Sequence, residues 1–394
     1  MGLTTYYTPT RVTFGPGAED LVAERLKAEG AEKVLVHYGS ARIERSGFLA
    51  GILSRLDEAG IAHVELSGVV PNPRLSLVRK GIEVCRREGV DFILAIGGGS
   101  VIDSSKAIGY GAAYEGDVWD FYSRKAVPQK TVPVGCILTM AAAGSEMSDS
   151  SVITNDESGE KRGCNSDVCR LRFALMDPTL TCTLPPYQTG CAVVDIMMHT
   201  IERYFTGGQS MHFTDQMAYA LLRSVMEAGL KALKTPDDYQ ARATIMWASS
   251  LSHNGLMAMG NDTRGDWACH QIEHELSGMF DVAHGAGLAV VFPAWLKYNI
   301  SDASERIAAL GYNVFGVKRT RSEKEDARTT IAAVEKFFRR MGMPTRLTKL
   351  LGVRITDQTI DTLADNCTFH GQRTVGLMNP LDGEAIKLIY RLAR

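Results

Sequence analysis

Apolar and polar positions change rhythm about halfway along the chain. In the first half, short apolar runs alternate with stretches of helical period. Residues 12–18 predict a short strand and turn, and residues 19–29 a helix with Leu21, Val22 and Leu26 on one face. Residues 33–39 read as a buried strand ending at Gly39. A helix over 49–59, an alternating strand over 62–66, a stop at Val70-Pro71-Asn72-Pro73 and a helix over 75–88 come next. The most apolar strand, 91–96, runs straight into Gly97-Gly98-Gly99-Ser100 and a helix over 101–110. Residues 131–138 add a strand, and 173–178 close this half. Strand and helix in alternation require parallel pairing with helices on both faces of the sheet. Ligands of such sheets bind at the carboxyl ends of the strands.

Past Leu184-Pro185-Pro186 the period is helical almost throughout: 191–204, 215–233, 239–256, 266–276, 284–298, 326–341 and 382 to the end. The expected fold is therefore α/β. A parallel-sheet domain is expected over residues 1–186, and an all-α domain over 187–394. No repeat or low-complexity stretch interrupts either half.

A length of 394 residues suits two cores. The net charge is −2 with acids and bases interspersed, so no basic block invites nucleic acid or an anionic membrane. The best apolar run, 288–296, contains Pro293 and is too short to span a bilayer. Eight cysteines lack any Cys-x-x-Cys pair, which argues against a disulfide framework or zinc ribbon. Reduced thiols in a cytoplasmic protein are expected. The first residues carry neither a basic nor an apolar signal segment, and Tyr6 stands where a myristoylation pattern wants Ser or Thr.

Chemistry enters first at the glycine turn. Glycines after a buried strand, opening a helix, let backbone N–H groups approach a phosphate while the helix dipole favours the anion. Ser100 adds a donor, and Asp103 suits the dipole or a ribose or nicotinamide group. A tight turn without a ligand is the plain alternative. The Gly-x-Gly-x-x-Gly fingerprint is absent, since Gly109-Tyr110-Gly111 leads to Tyr114 and lies late in a helix. A second small-residue turn, Thr139 to Ser145, follows the next strand and would complete a groove for a dinucleotide. At the end of the 33–39 strand, an acid would grip a ribose 2′-hydroxyl and repel a 2′-phosphate. Here stand Gly39 and Ser40, with Arg42 and Arg45 nearby and Glu44 the only close acid. NADP(H) is favoured over NAD(H), although both arginines could simply be solvated helix charge.

The second constellation is Asp195 and His199, four apart on an apolar helix, with His270 and His274 repeating that spacing and His284 opening a third apolar run. Each histidine alone is more often structural. Burying several titratable groups together without a cation is costly, so one carboxylate and several imidazoles point to Fe²⁺ or Zn²⁺. Spacing alone does not decide which imidazoles are ligands. Cys269 should point away and pack; Glu202, Glu273 and Glu275 are either partners behind the ligands or surface charge. His37, His63, His212, His253 and His370 have no partner spacing and read as structural or exposed.

These residues together resemble the iron-containing alcohol dehydrogenases, in their butanol-dehydrogenase-like branch. The resemblance covers nearly the whole chain. It rests on Val70-Pro71-Asn72-Pro73, Gly97-Gly98-Gly99-Ser100 with Asp103 and Lys106, Gly144-Ser145-Glu146, Asp195-x-x-x-His199, Trp267-Ala268-Cys269-His270-x-x-Glu273-His274 and His284-Gly285-Ala286-Gly287. It implies metal ligands at Asp195, His199, His270 and His284, and makes His274 a pocket residue near the nicotinamide. It implies dinucleotide contacts at Gly39, Ser40, Asn72, Gly97, Gly98, Gly99, Ser100, Asp103, Thr139, Ser145 and Lys161. Ala143 departs from the Thr that relatives often carry, so one hydroxyl contact would be missing. The implied reaction is hydride transfer between a primary, butanol-like alcohol or its aldehyde and a nicotinamide, in a homo-oligomer, a dimer by expectation. The rivals are a lyase like dehydroquinate synthase and a non-catalytic nucleotide sensor. The lyase would need basic residues that Ile196-Met197-Met198 and Met257-Ala258-Met259 do not offer, and an intact ligand set argues against the sensor.

Overall fold

The computed structural model describes residues 3–39 and 41–394, the side chains of Ala41 and Arg42 excepted. The chain divides into two compact units. One is Tyr7–Thr183; the other joins Leu184–Arg394 with the N-terminal segment up to Tyr6. That segment is tied down by side chains: Asn254 Nδ2 donates to Tyr6 Oη at 3.1 Å and the Gly260 N–H to Thr4 Oγ1 at 3.4 Å.

The first unit holds strands β1 (Arg11–Phe14), β2 (Lys33–Tyr38), β3 (Ala62–Leu66), β4 (Phe92–Gly97), β5 (Val134–Leu138), β6 (Ser150–Thr154), β7 (Lys161–Asn165) and β8 (Phe173–Met176). Its helices are α1 (Val22–Ala28), α2 (Ala41–Arg45), α3 (Phe48–Glu58), α4 (Leu75–Glu88), α5 (Gly99–Ala112) and the single turn α6 (Trp119–Tyr122). Six strands form one sheet in the order β1-β8-β5-β4-β2-β3, and every pairing in it is parallel. Central β2, β4 and β5 are buried almost throughout, as strands covered on both faces must be. On one face Val34, Val36, Leu94, Ile96 and Ile137 pack under Leu26, Leu49, Ile52 and Leu56 of α1 and α3. On the other, His37 is fully buried: Nδ1 donates to Leu66 O and Nε2 accepts from Ser104 Oγ, both at 2.8 Å.

The pattern of the sequence does not announce β6 and β7, an antiparallel hairpin outside the main sheet. Their burial is irregular, and Gly163 and three serines or threonines weaken the strand signal. The hairpin is fixed instead by tertiary contacts, including Thr154 N–H to Pro73 O at 2.8 Å.

The second unit contains α7 (Pro186–Tyr204), α8 (His212–Lys234), α9 (Tyr239–His253), α10 (Ala268–Phe280), α11 (His284–Tyr298), α12 (Ser304–Leu310), α13 (Glu323–Arg340), α14 (Leu347–Leu351), α15 (Asp357–Cys367) and α16 (Gly383–Ala393). Helices α7 and α11 are buried on nearly every side, which explains why their sequences are apolar all round. The short α12 and α14 escape the periodicity because few residues define their inner faces, whereas α15 buries Ile360, Leu363, Ala364 and Cys367 at regular helical spacing. No helix among the described residues is long and apolar enough to cross a membrane.

Candidate functional site

Helix α7 carries Asp195 and His199 into the middle of the helical core, each 4% exposed, among Val194, Ile196, Met197 and Met198 at 0%. A carboxylate in such surroundings costs several kcal/mol unless it is satisfied. Asp195 Oδ1 has no hydrogen-bond partner, nor do His199 Nδ1 and His270 Nε2. Yet Asp195 Oδ1 lies 3.4 Å from His199 Nδ1, 3.7 Å from His270 Nε2 and 3.8 Å from His284 Nε2. Ligands each about 2.1 Å from one tetrahedral ion lie roughly 3.4 Å apart. Buried lone pairs without donors, arranged around a common centre at this spacing, fit a divalent cation.

Two of the imidazoles are aimed by carboxylates. Glu202, on α7, accepts from His270 Nδ1 and from the N–H groups of Cys269 at 2.7 Å and His270 at 3.3 Å. It thereby caps α10 as well as fixing the His270 ring. Glu273 accepts from His284 Nδ1 and from Ser277 Oγ, and is fully buried. In both pairs the proton sits on Nδ1, leaving Nε2 as the lone pair towards Asp195. With no cation present, burial opposes charge on His270 but the Glu202 carboxylate, with Asp195 adding to it, raises its pKa to about 9, so a metal taking Nε2 displaces a proton from it. Burial pushes His199 well below the usual imidazole range, helped by His253, His270 and Arg203.

The small residues after His284 serve this geometry. A Cβ on Gly285 would lie 2.1 Å from Cys191 O of α7, and one on Gly287 would lie 2.5 Å from Glu273 Oε1. Only glycine lets α11 come close enough to α7 and α10 to bring His284 beside Asp195. Helix α10 itself starts from a strained residue: Trp267 has φ 64°, with its indole 5.3 Å from the His270 ring and the Arg203 guanidinium stacked 4.4 Å above it.

His274 stands apart from the Asp195 group. It is half-buried, groups with Glu273 and His284, and its ring is 5.6 Å from that of His284. His253, expected to be incidental, packs edge-on against His199 with ring centroids 4.1 Å apart. It arrives from α9, so no spacing within one helix could reveal it. Cys269 is buried in the core, as expected.

In the sheet unit the two small-residue turns meet at the carboxyl ends of neighbouring β4 and β5. The Thr139 N–H donates to Gly97 O at 3.0 Å, and a Cβ on Gly99 would be 2.9 Å from the Ala143 Cβ. Gly98 is the N-cap of α5, and Gly99 and Ser100 begin the helix. Asp103 accepts from Ser145 Oγ at 2.5 Å and from the Val152 N–H at 3.0 Å. Burial raises its pKa, against the opposing pull of Lys106 and these donors. Asn72 adopts φ 56° and accepts from Lys161 Nζ at 2.9 Å, both side chains being buried. Gly39 directly follows β2; a Cβ there would meet Val69 O at 3.1 Å. Beside it Tyr38 Oη donates to Glu65 Oε2 at 3.0 Å. Ser40 lies outside the described residues; Arg45 is exposed.

The family model for "Iron-containing alcohol dehydrogenase" matches residues 9–178, and that for "Fe-containing alcohol dehydrogenase family, C-terminal" matches 189–393. The chain belongs to the iron-containing alcohol dehydrogenase family and is an NAD(P)-linked oxidoreductase acting on CH–OH groups, an alcohol dehydrogenase or aldehyde reductase. Within the family it falls in the butanol-dehydrogenase-like branch. It is 41% identical to NADH-dependent butanol dehydrogenase A of Clostridium acetobutylicum, over 98% of both chains. It is 33% identical to the NADPH-dependent aldehyde reductase YqhD of Escherichia coli, again over 98% of both. The crystal structure of NADH-dependent butanol dehydrogenase A from Thermotoga maritima superposes with a TM-score of 0.95 at 36% identity, covering 100% of this chain and 99% of that one. Neither the lyase nor the non-catalytic sensor is favoured by these relationships.

Proposed function

We propose that the protein interconverts butanol-like primary alcohols and their aldehydes by hydride exchange with NADP(H), using Fe²⁺ or Zn²⁺ held by Asp195, His199, His270 and His284. The observation that carries this reading is the convergence of three donorless buried atoms, Asp195 Oδ1, His199 Nδ1 and His270 Nε2, with His284 Nε2 at their edge. A metal bound there supplies Lewis acidity toward the carbonyl or alkoxide oxygen. Glu202 and Glu273 keep the His270 and His284 rings in the tautomer that presents Nε2. His274, half-buried like His284 and unlike the buried Asp195, His199 and His270, holds and passes the proton that the alkoxide gains or loses.

Residues 1–186 bind the dinucleotide, and residues 187–394 bind metal and substrate. The dinucleotide contacts assigned are Gly39, Ser40, Asn72, Gly97, Gly98, Gly99, Ser100, Asp103, Thr139, Ser145 and Lys161. The meeting of the two turns and the Asn72–Lys161 pair support the set. Gly39 favours NADP(H), since no carboxylate at that position repels a 2′-phosphate. A second reading, NAD(H), draws on Glu65 beside Tyr38 and on the naming of the butanol dehydrogenase relatives as NADH-dependent. The edge strand β1, paired only with β8 among the described residues, supports association into a homodimer. Eight free cysteines, seven of them buried, support a reducing, cytoplasmic setting.

The test is consumption of NADPH and of NADH with butanal, followed in the near ultraviolet, before and after chelation and on adding back Fe²⁺ or Zn²⁺. Turnover that survives complete metal removal would overturn the metal assignment. Faster turnover with NADH would replace the cofactor assignment.

A further inference from the structure

Helix α5 buries a lysine that the proposed reaction does not use. Lys106 is 0% exposed, and among the described residues no carboxylate hydrogen-bonds its ammonium. Its Nζ donates instead to Ser145 O (2.7 Å), Ser145 Oγ (3.1 Å), Ser148 O (3.1 Å), Ser148 Oγ (3.3 Å) and Ser150 O (2.7 Å). An ammonium has three protons, so these acceptors saturate it. All five belong to one stretch, Ser145–Ser150, which runs from the β5–β6 connection into the first residue of β6. Asp103, one helical turn earlier, grips the same connection through Ser145 Oγ and the Val152 N–H, and its carbonyl accepts from Ser151 Oγ at 2.9 Å.

A buried charge is costly, and an apolar side chain of similar length would cost less if bulk alone were required. What Lys106 provides is a fixed point. The helix that opens at the glycine turn thereby holds the second turn, and through β6 and β7 the strand that carries Lys161 to Asn72. We propose that Lys106 is a positioning residue for the dinucleotide: its ammonium locks the Ser145–Ser150 connection against α5, so that both small-residue turns and Lys161 are set before the cofactor arrives. This rests on the dinucleotide reading of the sheet unit.

Lys106→Met, in the full metal-loaded chain, tests it by fluorescence titration with NADPH and with NADH. The dissociation constant should rise roughly 10- to 100-fold, the scale of a misplaced binding group. The metal-to-protein ratio and kcat at saturating cofactor should stay within about twofold, because the residues proposed to hold metal belong to the other unit. An unchanged dissociation constant in the folded variant would overturn the proposal. So would kcat and metal content falling in step with it, which marks a general structural defect. If Lys106→Met does not fold, Lys106→Gln keeps a polar donor but with a shorter reach, so it cannot span to all three serines that the ammonium ties together. It should weaken binding about threefold, the worth of a modest hydrogen bond, and unaltered binding would again overturn the proposal. Failure of the unsubstituted protein to bind either dinucleotide would sink the functional reading itself.

Discussion

Replacing Glu202 by Gln tests whether the metal centre is aimed from behind. The carboxylate makes three acceptances: from the Cys269 N–H at 2.7 Å, from the His270 N–H at 3.3 Å and from His270 Nδ1. An amide has the same shape but only one oxygen. If that oxygen faces the helix, the NH₂ group meets His270 Nδ1–H, and the ring must move its proton to Nε2, the atom turned toward Asp195. If the oxygen faces the ring, the Cys269 N–H at the start of α10 loses its acceptor. Either outcome leaves a buried donor unmatched, at about 1–3 kcal/mol. Loss of a carboxylate behind a ligand histidine typically lowers metal affinity roughly 10- to 100-fold, the same range. The assay is titration of metal-free protein with Zn²⁺ against a chromophoric chelator, with urea unfolding to establish that the variant is folded. A folded Glu202→Gln protein that binds Zn²⁺ within about twofold of the original would refute the tautomer argument.

Four more expectations can be checked. His270→Ala should abolish metal retention and turnover together; a metal-loaded, active variant would remove His270 from the ligand set. Gly285→Ala should cost about 1–3 kcal/mol by overpacking against Cys191 O and lower metal occupancy, read from urea unfolding and metal analysis; unaltered occupancy would mean that His284 does not depend on this contact. Gly39→Asp should shift kcat/KM toward NADH by at least about tenfold through repulsion of the 2′-phosphate; an unchanged ratio would undo the cofactor assignment. Burial lowers the pKa of His37 to about 4, against an ordinary 6.5, so only the unfolded chain gains its proton as pH falls between these values. The stability that His37 contributes is complete above pH 6.5, and about 3 kcal/mol of it is lost by pH 4. Urea unfolding across this range should show a shallower decline for His37→Gln, and an identical slope would contradict the burial argument.

The parallel sheet was legible along the chain because its central strands β2, β4 and β5 are covered on both faces and so read as unbroken apolar runs. The helix spans on α7, α10 and α11 were legible for the complementary reason: a residue's position on a helix follows from spacing alone. That spacing put Asp195 and His199 on one face and His270 and His274 on another. It treated His270 and His274 alike. Only the crossing of α7, α10 and α11 separates them, because Glu202 turns the His270 ring toward Asp195 while His274 lies beside His284 and Glu273. The approach of His253 to His199, the saturation of Lys106 and the β6–β7 hairpin likewise depend on groups far apart in sequence. Local pattern records which way a side chain leaves its own backbone. Which other backbone it then meets is set by close packing, here by the glycines that let α11 approach α7 and α10.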